Sequence, residues 1–161
     1  MPIALYRVDE RLIHGQVVVG WGAVLHPDHI VVVDDDLAEA TWEQELYLLG
    51  LPAEVHAEFE SVAGARRRLE EWRRRPGRTV VLTRDIETMC RLAAGGSMRG
   101  EEVNIGGIHH AAGRSPVLPY VYLSDDERAT LGRLAEEGVE VSARDLPGAR
   151  RVDLAQLLGR A

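Results

Sequence analysis

The sequence predicts an α/β domain built on a largely parallel sheet. Three observations carry that prediction. Short runs rich in β-branched residues alternate with longer segments of helical periodicity along most of the chain. The apolar runs, such as IVVV at 30–33, are strand-sized, and none approaches the roughly 18 residues of a membrane-spanning helix. The 161 residues, 45% hydrophobic and 28% charged, suit one soluble domain with a sizeable core. No linker, internal repeat or low-complexity tract divides residues 1–161.

The elements follow in order. IALYRV (3–8) reads as the first strand, and GQVVVGWGAVL (15–25) as a helix despite its β-branched residues and glycines. HIVVVD (29–34) is a buried strand. ATWEQELYLLG (40–50) is an amphipathic helix stopped by Gly50, with Pro52 just beyond. AEVHAEF (53–59) is a third strand. SVAGARRRLEEWRRR (61–75) is a helix with a heavily charged face, closed by Pro76-Gly77. RTVVLT (78–83) is the fourth strand, IETMCRLAAGG (86–96) a short helix with a glycine stop, and EVNIGG (102–107) a fifth strand. LPYVYL (118–123) reads as a short strand, placed at an edge because Pro119 has no N–H to donate. Ser124 and Glu127 have capping-box spacing at the start of a helix over 124–138. VEVSAR (139–144) reads as the last strand and VDLAQLLG (152–159) as a closing helix.

Composition excludes several functions. The net charge of −7 argues against nucleic acid, whose binding needs Lys and Arg to neutralise phosphates. All 19 basic residues are arginine, so P-loop and Schiff-base lysine chemistry is absent. The single cysteine, Cys90, cannot form an intrachain disulfide or a cysteine metal cluster. With no signal peptide in view, a reducing, cytoplasmic setting is predicted.

The segment RVDERLIHGQVVVGW (7–21) concentrates the chemistry. His14 falls just past the first strand and before a helix start. In open parallel sheets ligands bind beyond the carboxyl ends of the strands, and helix N-termini favour anions. A neutral imidazole is a nucleophile and can carry a phosphoryl group on one ring nitrogen, while a carboxylate holds the other. Asp9 is the candidate for that carboxylate. Arg11 offers a planar fork for phosphate oxygens, and Gly15 a backbone free to approach closely and adopt unusual dihedrals. The plainer alternative is a histidine packed at a strand-to-helix turn beside a surface Asp9–Arg11 ion pair.

Other candidates are weaker. VNIGGIHH (103–110) suggests a tight turn or anion nest at the same sheet edge, with His109 and His110 on a structural loop. Asp34, Asp35 and Asp36 read as helix caps rather than magnesium ligands. Thr83 and Arg84 close the fourth strand, where they would add a hydroxyl and a second guanidinium to the pocket. His26 and His29 read as surface. The seven arginines of 65–78 read as a solvated, charge-paired helix face. Nucleotide fingerprints fail: Gly20 and Gly22 lack a third glycine, and Trp21 stands where a P-loop lysine belongs.

Arg7, Asp9, Arg11, Leu12, Ile13, His14, Gly15, Gln16 and Val17 complete an R-x-D-x-R-L-I-H-G-Q-V segment. Here the chain resembles the mannose-family (mannose/fructose/sorbose) enzyme IIB of the bacterial phosphoenolpyruvate-dependent sugar phosphotransferase system. The likeness continues through VVVDDDLA (31–38), VNIGG (103–107), Gly113-Arg114 and GVEVSARDLPGARRVDL (138–154), essentially the whole chain. It implies a doubly wound, mostly parallel sheet of about seven strands with helices on both faces. It implies that His14 accepts a phosphoryl group from a phosphohistidine on a IIA domain and passes it to a sugar bound in a membrane IIC/IID complex. In that scheme Arg11 binds phosphate and Asp9 shapes the loop or orients the ring. No metal or cofactor takes part, and the chain sits at the inner face of the membrane through IIC/IID. His109-His110-Ala111-Ala112 departs from the family pattern, which bears on partner specificity. A regulatory phosphoprotein of the same fold would need His14 as well, whereas a non-catalytic small-molecule-binding domain would bind its ligand largely without it. The sugar stays unnamed, and a homo-oligomer stays open.

Overall fold

The computed structural model describes residues 3–159. Strand β1 (Leu5–Val8) leads through the His14 loop into a π-helical turn, Gln16–Trp21, and then α1 (Gly22–Leu25). Next come β2 (His29–Val33), a 3-10 turn at Leu37–Glu39, α2 (Thr41–Leu48), β3 (His56–Glu60), α3 (Val62–Arg74), β4 (Thr79–Thr83), α4 (Ile86–Ala93) and β5 (Glu102–Ile105). The chain ends with β6 (Ser115–Leu118), β7 (Val121–Leu123), α5 (Asp125–Glu136), β8 (Glu140–Ala143), β9 (Val152–Asp153) and α6 (Leu154–Leu157). The main sheet has seven strands in the order β3-β2-β4-β1-β5-β8-β9, parallel except for β9.

Alternation along the strands decides which helix covers which face. In β2, Val31 and Val33 join the core beneath α3, α4 and α5, while Ile30 and Val32 pack with Leu12, Ile13, Val17 and Leu37 on the opposite face. The sheet is therefore covered on both sides, which is why β2 and β4 read as unbroken apolar runs. On the second face the pattern changes beyond β4. Arg7 of β1 registers with Asn104 of β5, and Asn104 with Ser142 of β8. All three are buried. This polar row forms the floor beneath the carboxyl edge of the sheet.

Several expectations need correcting. The single strand expected over 118–123 is a two-stranded antiparallel ribbon, β6–β7, with Pro119 and Tyr120 in its turn. Proline suits a turn, where its missing N–H costs nothing. VEVSAR is not the last strand: Val152–Asp153 adds an antiparallel edge, leaving one helical turn of the expected 152–159 helix. His29 is buried, not superficial. Its Nδ1 lies 2.9 Å from Thr79 Oγ1 and its Nε2 2.6 Å from Glu58 Oε2. Finally, α2 turns Gln44 and Tyr47 inward and buries no residue fully. Trp42, Leu46 and Leu49 lie on its opposite side, exposed.

Side chains cap the starts of several helices. Ser61 accepts from Gly64 N–H, capping α3, and Asp85 accepts from Thr88 N–H, capping α4. Ser124 and Glu127 form a reciprocal capping box on α5. Asp34 accepts from Leu37 N–H and Asp35 from Val62 N–H, so both act as caps as expected, whereas Asp36, the residue before the Leu37–Glu39 turn, makes no side-chain cap bond.

Candidate active site

The site lies at the carboxyl ends of β1, β4 and β5. At its centre is Asp9, the residue following β1, with a fully buried side chain. Its Oδ1 accepts from Arg11 N–H at 3.0 Å and Arg11 Nε at 3.1 Å. Its Oδ2 accepts at 3.1 Å from Arg7 Nη2, Arg11 Nη2 and Gly107 N–H. Burial alone would raise the carboxyl's pKa. Contact with His14 and the hydrogen bonds from Arg11 and Gly107 outweigh it and hold Asp9 far below the usual carboxylate range.

Arg7 lies under Asp9, also fully buried. Its other partners are Asn104 Oδ1, Arg144 O at 2.8 Å and Asp145 O at 3.1 Å. The Trp21 ring stacks 5.4 Å from its guanidinium carbon and donates through Nε1 to Asp145 O. Burying a cation needs this density of partners. Arg11, partly exposed, completes its bonds through Nη2 to Gln16 Oε1 at 2.5 Å. Its Nη1 has no hydrogen bond among the described residues.

The loop from Asp9 to His14 is held in a strained turn. Leu12 N–H donates to Asp9 O at 3.0 Å, and Leu12 takes φ +55° while burying its side chain. A leucine pays for that conformation, so its persistence shows that surrounding contacts over-determine it. The consequence is the placement of His14. The buried Nε2 lies 3.3 Å from Asp9 Oδ2 without hydrogen-bond alignment, and Nδ1 accepts from Gln16 N–H at 3.2 Å.

The glycines serve differently from expectation. Gly15 sits in ordinary right-handed helical space, φ −53° and ψ −41°, with open room around a would-be Cβ. It does not supply unusual dihedrals; it leaves the surface beside His14 bare. Gly106 and Gly107 have no positive φ, so the anion nest expected there, which needs a left-handed residue, does not form. A Cβ on Gly106 would come within 2.3 Å of the Arg7 guanidinium, and one on Gly107 within 3.1 Å of Arg11. They are glycine so that two arginines can pass.

Of the other predicted residues, Thr83 is buried and donates from Oγ1 to Asp85 O at 2.9 Å. Arg84 pairs with Asp34 at 2.8 Å. His109 and His110 are exposed, His110 edge-on to Tyr122. Sequence reasoning missed Glu10. It receives His109 N–H and Arg114 Nη1, the latter at 3.1 Å, while Arg114 forks onto the α5 cap Glu127. Glu10 thus ties the His14 loop to the loop after β5 and to α5. Its place between Asp9 and Arg11 was the only available signal. No cluster of three or more His, Cys, Asp or Glu among the described residues is placed to hold a metal ion.

A doubly wound sheet carrying a carboxylate-backed, partly exposed histidine and a partly free arginine at its carboxyl edge defines a class of domain suited to group transfer through histidine. Comparison with known proteins narrows that class. The model of the PTS system sorbose subfamily IIB component matches residues 3–161. The N-acetylgalactosamine-specific phosphotransferase enzyme IIB component 1 of Escherichia coli K12 is 31% identical over 150 residues, 91% of this chain and 92% of that one. The fructose-specific EIIB component of Bacillus subtilis is 28% identical over 158 residues, 98% and 96% of the two chains. The solved IIBSor domain of the Klebsiella pneumoniae sorbose permease superposes with a TM-score of 0.88 at 23% identity, covering 100% of this chain and 99% of that one. The mannose-specific EIIAB component of E. coli K12 is 28% identical over 160 residues, 99% of this chain but 49% of that longer one. This chain belongs to the sorbose subfamily of IIB components of the PTS, the phosphotransferase system of sugar transport.

Proposed function

We propose that His14 is the phosphoryl carrier: it accepts a phosphoryl group at Nδ1 from a phosphohistidine on a IIA partner and passes it to a sugar held by a membrane IIC/IID complex. The observation that carries the reading is the 3.3 Å approach of buried Nε2 to the Asp9 carboxylate. An anion there keeps the proton on Nε2 and leaves the lone pair on Nδ1. The lone pair attacks phosphorus, the Nδ1–P bond forms, and the donor's P–N bond breaks with its electron pair returning to the donor imidazole. Asp9 stabilises the cationic ring that results. Gln16 N–H, released from Nδ1, and Arg11 Nη1 are at hand for the phosphoryl oxygens. Transfer between two imidazoles depends on such positioning and charge stabilisation. Gly15 leaves room for the donor, while Thr83 and Arg84 brace the neighbouring β4 corner.

The fused mannose-specific EIIAB relative supports a IIA partner. No helix among the described residues is long and apolar enough to cross a membrane, which fits a chain that meets IIC/IID from the water side. The test is intact-protein mass spectrometry after incubation with phosphoenolpyruvate, the two general phosphotransferase proteins and a competent cognate IIA. One acid-labile phosphoryl group on the wild type and none on a folded His14→Ala variant is the expected result. An unmodified wild type overturns the proposal.

A further inference from the structure

Charge is unevenly distributed along the chain. Residues 12–65 contain no arginine or lysine but hold ten acidic residues. With nineteen arginines against the sixteen remaining acids, the rest of the chain is net positive. Distant arginines neutralise part of the acidic stretch: Arg75 pairs with Asp28, Arg84 with Asp34, Arg91 with Asp35, and Arg68 with Glu58 and Glu60. Around α2 this stops. Asp36, Glu39, Glu45 and Glu54 are exposed and have no ion pair among the described residues.

Within that acidic rim lies an apolar stripe. Trp42, Leu46 and Leu49 follow i, i+4, i+7 spacing on the side of α2 opposite Gln44 and Tyr47. They are 66%, 56% and 82% exposed. Single exposed apolar residues need no explanation, but a contiguous stripe with a tryptophan and a charged rim has the anatomy of a protein interface. The rim chooses the partner. Anionic lipid would be repelled by unpaired carboxylates, as would nucleic acid. A cationic protein surface is complementary, and cytoplasmic loops of membrane proteins carry an excess of Lys and Arg.

We propose that the Trp42–Leu46–Leu49 face of α2 docks this chain onto the Lys/Arg-rich cytoplasmic loops of its membrane-embedded partner, apart from the His14 surface. The proposal rests on the reading that a membrane complex receives the phosphoryl group. Tyr47 packs α2 on Phe59 of the edge strand β3, three strands from β1 and the His14 loop, so docking there keeps the chain beside the membrane while His14 meets donor and acceptor in turn.

The test uses the full chain, Trp42→Ser/Leu46→Gln and Glu45→Arg/Glu54→Arg. All these positions face solvent, so folding is checked by circular dichroism and is expected to persist. Binding is measured to inside-out vesicles containing the cognate IIC and IID, beside vesicles lacking them and liposomes of phosphatidylglycerol and phosphatidylethanolamine. Phosphorylation by IIA is measured in parallel. Both variants should lose vesicle binding on the order of tenfold or more while IIA phosphorylates them at the wild-type rate. Wild-type binding should weaken with salt, and the charge-reversed variant should lose that dependence. Undiminished vesicle binding by both variants, no wild-type binding, or equal binding to bare liposomes overturns the docking proposal. So does a wild-type dimer by sedimentation that Trp42→Ser/Leu46→Gln splits without loss of vesicle binding, since the stripe's occupant is then a second copy. Loss of vesicle binding with a wild type that IIA never phosphorylates supports the docking face and sinks the His14 relay, so the two can fail separately.

Discussion

Five hydrogen bonds converge on the Asp9 carboxylate, two on Oδ1 and three on Oδ2, and four of the five come from arginine. Such a residue acts as a hub: it fixes the turn through Arg11 N–H, neutralises buried Arg7 and stands behind His14. Arg11 shares the hub but reaches outward. Arg11→Lys replaces a planar fork that spans Asp9 and Gln16 with a single ammonium. Phosphoryl transfer should slow on the order of ten- to a hundredfold with the fold unchanged, as read by rapid-quench kinetics. Wild-type speed would remove Arg11 from the transfer step. The residue types of this site were legible in the motif. Their division of labour was not, because Arg7 and Arg11 both pair with Asp9 and only burial separates the structural guanidinium from the partly free one.

At the scale of elements, the two ends of the site respond oppositely to a methyl group. Gly106 follows β5, where Arg7 is pinned by Asn104, Arg144 and Asp145 and cannot yield to a Cβ. Gly106→Ala should destabilise by about 1–3 kcal/mol through overpacking. Gly15→Ala, in helical space with open surroundings, should be neutral or stabilising by up to about 1 kcal/mol. Urea unfolding of the two variants checks the contrast, and equal midpoints would contradict it. Sequence pattern marks both as glycines beside a reactive loop; whether the space is filled depends on a residue about a hundred positions away in the chain. The α2 segment teaches the same lesson. Its amphipathic spacing is visible, but the side that meets the sheet is set by Gln44 bonding to Leu37 O and Ala38 O.

At the scale of the whole molecule, acid should loosen the fold. Asp9, Asp28, Asp35, Glu58 and Glu127 are all held below their ordinary values. Burial opposes this at Asp9, Glu58 and Glu127, where hydrogen bonds prevail; Arg75 dominates at Asp28 and Val62 N–H at Asp35. A carboxyl with a depressed folded value stabilises fully above its unfolded pKa, about 3.9 for Asp and 4.3 for Glu, and loses that contribution as pH falls. Burial also depresses His29, so its protonation favours unfolding below about pH 6.5. Both effects have one sign: stability declines from near neutrality downward, most steeply below about pH 4. Denaturant midpoints from pH 7 to pH 3 measure it, and a flat profile between pH 5 and pH 3 would refute it.

The sequence by itself determined the α/β class, the strands of the sheet's centre, the capping box and the Arg7–Val17 family motif, because each rests on local periodicity or on a contiguous motif. Tertiary structure decided the rest. It put β9 antiparallel on β8, buried His29 against Glu58, laid Arg7 beneath Asp9, and linked Glu10 through Arg114 to Glu127. It also left the apolar side of α2 facing solvent. The physical reason is common to all of these. A side chain's role follows from what is brought against it, and contacts between residues far apart in the chain leave no periodicity to read.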